Sequence, residues 1–159
     1  GFGRMAGSDD ARVPEAVIGG VDGRRGLFQP GWSGIDPSRL PGNFRAIGPT
    51  PHDWLLPRCA LAIHHGGSGT THSACRAGIP SVIVPFAGDQ FFWAARLRGA
   101  GIAAAVLKGA TLRAAPLARA IAHAESPAAR AAAADIGTRM RREDGLATAV
   151  ALVERYAGG

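Results

Sequence analysis

The chain has 159 residues, 47% hydrophobic and 19% charged, which is enough apolar side chain for the core of roughly one domain and lies outside the compositions of disordered or collagen-like chains. Its net charge of +6 comes mainly from scattered arginines, and no aromatic residues interleave with the densest cluster, Arg139, Arg141 and Arg142, so a solvated helix face explains the charge better than a nucleic-acid platform. No apolar run reaches the roughly 18 residues of a membrane-spanning helix, and two isolated cysteines, Cys59 and Cys75, make no disulfide framework and fit a reducing, cytoplasmic setting.

The predicted elements alternate along the chain. A helix is expected over Asp9 to Ile18, ended by Gly19-Gly20. Short strands follow at Gly26 to Gln29 and Phe44 to Ile47, then a clear apolar strand at Ala60 to Ile63. Thr70 to Ala77 reads as a helix stopped by Gly78 and Pro80. Ser81 to Val84 is the next strand, Gln90 to Arg98 the next helix, and Ile102 to Val106 a last strand. Leu117, Ile121 and Ala124 share one helical face, with Pro116 tolerable in a first turn. Helices over Ala128 to Arg142 and Leu146 to Tyr156 complete the Ala-rich last third. Strands and helices joined this closely predict a Rossmann-like α/β fold, a parallel sheet with helices on both faces. Ligands of such sheets sit beyond the C-terminal ends of the strands.

The sharpest motif occupies that place. His64-His65-Gly66-Gly67-Ser68-Gly69-Thr70-Thr71 leaves a strand and opens a helix. Glycines let backbone N–H groups approach a ligand, and a helix N-terminus offers unpaired donors with partial positive charge. A diphosphate is the natural guest; a tight turn capped by Ser or Thr is the plainer alternative. No lysine follows the glycines, so this is no Walker loop, and the dinucleotide G-x-G-x-x-G spacing is missing, which counts against a dehydrogenase. His64, His65 and His72 do not form a metal site, because adjacent strand residues point apart and no acidic or thiol ligand completes the set.

Asp89-Gln90 ends another strand. A carboxylate and an amide there can hold vicinal hydroxyls; Asp89 as a helix N-cap is the alternative. Phe91, Phe92 and Trp93 beyond it are either core or an aromatic wall. Pro49-Thr50-Pro51-His52 forms a proline-stiffened loop into a short helix, with Trp54 more a packing anchor than a stacking platform.

Taken together, Gly1-Phe2-Gly3-Arg4-Met5, Pro51-His52-Asp53-Trp54-Leu55, His64 to Thr71 and Pro85 to Gln90 resemble the C-terminal domain of GT-B fold UDP-dependent glycosyltransferases. Sterol glucosyltransferases and bacterial natural-product glycosyltransferases are the nearest in pattern, over essentially the whole chain. The resemblance implies one donor-binding domain over residues 1–159, its first strand cut before Gly1 and its N-terminal acceptor domain absent. It implies that His65 contacts the donor phosphate, that Gly67, Ser68, Gly69 and Thr70 cradle the diphosphate, and that Asp89 and Gln90 hold sugar hydroxyls. Pro49, Thr50 and His52 would line the base pocket, and Gly3 and Arg4 would lie at the diphosphate, Arg4 standing where the family usually has Ser.

The implied reaction is inverting transfer of a hexose, glucose from UDP-glucose, to a hydroxyl of a sterol, terpenoid or polyketide. The general base belongs to the N-terminal domain, so no catalytic residue is expected in this chain. The UDP-sugar is a co-substrate, and neither a cofactor nor a metal is required. A lipophilic acceptor reached through the N-terminal domain and peripheral membrane association of the full-length protein are the expected partners. An inactive nucleotide-sugar-binding module or remnant is the alternative, and a cell-wall lipid-linked-sugar transferase shares the fold.

Overall fold

The computed structural model describes residues 12–30, 36–104 and 107–157. In chain order these form α1 (Arg12–Val21), β1 (Gly26–Phe28), β2 (Phe44–Ala46), α2 (His52–Leu55), β3 (Ala62–His64), α3 (Ser68–Ala77), β4 (Ser81–Ile83), α4 (Gln90–Gly99), α5 (Ala114–Ala124), α6 (Pro127–Arg142) and α7 (Gly145–Ala157), with single turns of 3-10 helix at Pro37–Arg39, Leu56–Arg58 and Gly109–Thr111. β1 pairs in parallel with β2, Phe28 opposite Ala46. β3 pairs in parallel with β4, His64 opposite Ile83.

The second pair organises the core. Side chains alternate along β4, so Val82 and Val84 enter one apolar cluster with α1 and α5, whereas Ile83 enters another with Cys75 of α3, Ala94 and Leu97 of α4 and Ala133 of α6. Helices thus cover both faces, as the alternation of elements predicts. Leu117, Ile121 and Ala124 of α5 are all buried, which matches their shared helical face.

Two expectations fail for tertiary reasons. The first helix does not stop at Gly19-Gly20 but runs to Val21. A Cβ on Gly20 would lie 2.8 Å from Leu117 Cδ2, so the missing side chain is what lets α5 approach, and packing outweighs the helix-breaking preference. The strand expected from Ile102 is not formed over 102–104, which are turn and irregular backbone; residues 105–106 lie outside the described set. Ile102 and Ala103 are buried against α4 and α6 instead, so their apolar run reflects burial rather than strand pairing.

α3 and α6 cross at two glycines. A Cβ on Gly137 would stand 2.6 Å from Gly78 Cα. Gly78 also closes α3 in the left-handed conformation, φ +74°, its N–H donating to the carbonyls of Ala74 and Cys75. The ends are then tied reciprocally: Arg76 donates to the carbonyl of Met140 at 2.8 Å and Arg141 to the carbonyl of Arg76 at 2.8 Å. α6 starts where Ser126 Oγ accepts from the N–H of Ala129. α7 has no buried residue, and Leu146, Val150, Val153 and Tyr156 are exposed. No helix among the described residues is long and apolar enough to cross a membrane.

Candidate donor site at the ends of the parallel strands

β3 delivers the glycine loop. Its apolar face alternates with Ala62 and His64 buried, and His64 is only 1% exposed. The N–H of Val84 donates to the His64 carbonyl at 2.9 Å, joining the ends of β3 and β4. Beyond His64 the chain turns at Gly66, φ +93°, a region that L side chains rarely adopt. A Cβ at Gly66 would also lie 2.7 Å from Ile83 Cγ2 and 3.1 Å from the Gln90 carbonyl oxygen. The loop after β3 is therefore packed directly on the start of α4.

α3 begins at Ser68, two residues before the expected start at Thr70, with Gly67 as N-cap. Ser68, Gly69 and Thr70 thus belong to the first turn, whose N–H groups have no intrahelical acceptor. The N-cap is Gly67, so the alternative with Ser or Thr as the N-cap residue is not what forms. Ser68 and Gly69 are exposed and Thr70 is half-buried. A Cβ on Gly67 would collide with the His65 ring, 2.5 Å from Nε2, so the imidazole lies over the N-cap itself. His65, Gly67, Ser68, Gly69 and Thr70 lie together at the start of α3.

His64 opens the glycine motif, and the sequence assigns it no contact of its own. The structure gives it one: its Nδ1 accepts the Gly66 N–H at 3.1 Å. Burial pushes the imidazole down to about 3, with His65 and His52 close enough to add to the effect. The ring is therefore neutral, and with Nδ1 accepting, its proton sits on Nε2. His64 Nε2, Thr71 Oγ1 and Ser81 Oγ are buried with no hydrogen-bond partner among the described residues.

The loop after β4 carries Asp89 and Gln90. Asp89 does not cap α4 with its side chain. Its Oδ2 accepts instead from Trp93 Nε1–H at 3.2 Å, one helical turn on, and the indole packs edge-on against His72 of α3 with ring centroids 5.0 Å apart. Trp93 is half-buried, while Phe91 and Phe92 are exposed, so the aromatic run is not core as a whole. Gln90 Oε1 accepts from the N–H groups of Phe86 and Ala87 at 2.8 and 3.2 Å, shaping the loop from within.

The proline-stiffened loop follows β2. Pro49 is exposed, Thr50 donates its hydroxyl to the Gly48 carbonyl at 2.9 Å, and His52 opens α2, half-buried. Leu56, just beyond, packs with Ala74 of α3, which fastens this segment beside the glycine loop. Trp54 is 55% exposed, so it is no packing anchor; the Arg58 guanidinium lies 4.4 Å from its ring centroid. Gly3 and Arg4 lie outside the described residues. Among the described residues no three His, Cys, Asp or Glu side chains gather as for a metal ion. Cys59 is half-buried and Cys75 buried, and burial pushes both thiols up.

A parallel α/β domain with a glycine-led helix N-terminus and a carboxylate loop at adjoining strand ends has the form of a GT-B glycosyltransferase C-terminal domain. The family model described as "Erythromycin biosynthesis protein CIII-like, C-terminal domain" matches residues 26–151, and the chain belongs to that family. It is 34% identical over 160 residues to a sterol 3-beta-glucosyltransferase of Arabidopsis thaliana, covering 98% of this chain and 26% of the relative. A sterol 3-beta-glucosyltransferase of Aspergillus fumigatus is 38% identical over 168 residues, covering 98% of this chain and 12% of that protein. The chain therefore spans about a quarter or less of these relatives. Among solved structures, the spinosyn rhamnosyltransferase SpnG complexed with thymidine diphosphate superposes with a TM-score of 0.78 at 27% identity, over 97% of this chain and 44% of that one. The glycotransferase of kitacinnamycin shares the fold with a TM-score of 0.80 at 23% identity, over 97% of this chain and 42% of that one.

Proposed function

We propose that this chain is the donor-binding domain of an inverting glycosyltransferase that moves a hexose, glucose from UDP-glucose, to a hydroxyl of a lipophilic acceptor of the sterol, terpenoid or polyketide kind. The observation that carries this reading is the start of α3, where three first-turn residues follow two glycines, the N-cap is itself a glycine, and the His65 ring lies over it. Such an end holds a diphosphate through backbone N–H donors and the helix dipole. The same groups would stabilise the diphosphate as it leaves the anomeric carbon, without a metal or cofactor. Asp89 stands nearby to accept sugar hydroxyls, and the loop from Pro49 to His52 offers backbone groups to a base. The sterol relatives support glucose and a sterol-like acceptor; a thymidine diphosphate sugar is the runner-up, since SpnG is solved with that nucleotide.

Titration calorimetry of the chain with uridine diphosphate, thymidine diphosphate and NAD tests the reading, with His65→Ala as control. Saturable binding of a pyrimidine diphosphate, weakened about tenfold or more in His65→Ala, is the expected result. A folded chain that binds neither diphosphate would remove the donor-site reading, and binding of NAD alone would replace it.

A further inference from the structure

We propose that His64, the buried histidine preceding the phosphate-contacting His65, is a positioning residue that sets the shape of the diphosphate loop by holding the Gly66 amide. The inference rests on the donor-site reading above and adds to it a residue that touches no ligand.

Three observations meet at this side chain. His64 Nδ1 accepts the Gly66 N–H at 3.1 Å, closing a ring between residue i and residue i+2. Asx-turns close in the same way, with an Asn or Asp oxygen in place of the ring nitrogen. The backbone it holds is the one that most needs holding, because Gly66 sits at φ +93° against Ile83 and Gln90. Glycine loses more conformational freedom on folding than any other residue, so fixing this torsion beforehand removes a cost that ligand binding would otherwise meet. Finally, the ring has little other work. It is 1% exposed, beyond reach of a ligand at the surface, and Nε2 has no partner among the described residues. The contact that distinguishes His64 from an apolar filler is therefore the one to Gly66. From that turn the chain proceeds directly to Gly67 and the first-turn amides of α3, so an error at Gly66 misplaces every donor downstream.

The two nitrogens of the ring can be imitated separately. Asn places an acceptor near Nδ1 and Gln places its amide near Nε2, while Leu fills the space without an acceptor. The chain is compared as wild type, His64→Asn, His64→Gln and His64→Leu, by uridine diphosphate titration and by the Gly66 amide shift and hydrogen exchange in nitrogen-15 spectra. His64→Asn is expected to keep the protected Gly66 amide and bind within about threefold of wild type, and the Gln and Leu variants to lose the protection and weaken binding roughly tenfold. Folded Gln or Leu variants that bind as wild type does would overturn the proposal, as would an Asn variant as weak as Leu. Should no form bind the diphosphate, the donor-site reading fails. The Gly66 amide then decides the anchor alone: protection kept by Asn and lost by Gln and Leu supports it, and equal protection in all four refutes it.

Discussion

The indole N–H of Trp93 donates to the Asp89 carboxylate at 3.2 Å across one turn of α4, and the same indole packs at a steep angle against His72 of α3. The carboxylate proposed to hold sugar hydroxyls is thereby aimed by a ring braced on the helix proposed to hold the diphosphate. Trp93→Phe keeps the ring packing and removes the donor. It is expected to leave uridine diphosphate affinity unchanged and weaken UDP-glucose about fivefold, the scale of one hydrogen bond. Parallel titrations with the two ligands check this; an equal loss for both would mean that Asp89 does not read the sugar.

Gly69 separates stability from binding. A Cβ there meets nothing within 4 Å, and the residue lies in the first turn of α3. Gly69→Glu exchanges a poor helix former for a good one and sets a negative charge at the positive end of the dipole, a gain of about 1 kcal/mol or more. The same carboxylate would repel a diphosphate. The expected outcome is a higher Tm together with loss of diphosphate binding, read by thermal melting and calorimetry on one sample.

The crossing of α3 and α6 tolerates no methyl group. Gly137→Ala would place Cβ 2.6 Å from Gly78 Cα and 2.8 Å from Gly78 N, both backbone atoms that cannot swing away. Parting the helices is expected to cost about 1–3 kcal/mol, as overpacking does. Urea unfolding checks it against Gly42→Ala, where a Cβ meets nothing within 4 Å.

His64 also makes stability depend on acid. Its folded value, about 3, lies below the ordinary 6.5. As pH falls between these values, the unfolded chain takes up a proton that the folded ring refuses, so stability declines toward acid. The slope reaches at most about 1.4 kcal/mol per pH unit. His64→Asn removes this contribution, and urea unfolding at pH of about 7.5 and about 5 is expected to show a flatter dependence for the variant. Equal slopes in the two proteins would mean that the folded ring does take the proton.

The apolar runs around Ala60 to Ile63 and Ser81 to Val84, each followed by glycine or proline, were sufficient to locate β3, β4 and the loops that leave them. Gly78 marked the end of α3 because its left-handed conformation is nearly exclusive to glycine. The polar ring of His64 hid the true end of β3, since a buried histidine reads as loop when polarity alone is counted. The aim of Asp89 was obscured by its position before a helix, where capping is the usual expectation; the i, i+4 spacing to Trp93 was the signal available for it. Ile102 and Ala103 show the opposite failure, an apolar run that is buried without pairing. Gly20 is a third kind, since only the approach of Leu117 explains why the helix continues through it.

The tight seat of Gly66 against Ile83 and the Gln90 carbonyl makes the loop after β3 and the start of α4 one mechanical unit. Neither can swing away from its neighbour without opening the contact between the ends of β3 and α4. A ligand entering or leaving this edge would therefore meet a fixed backbone floor, and the adjustments left to the domain fall to side chains at its rim, among them the exposed Asp89 and Ser68.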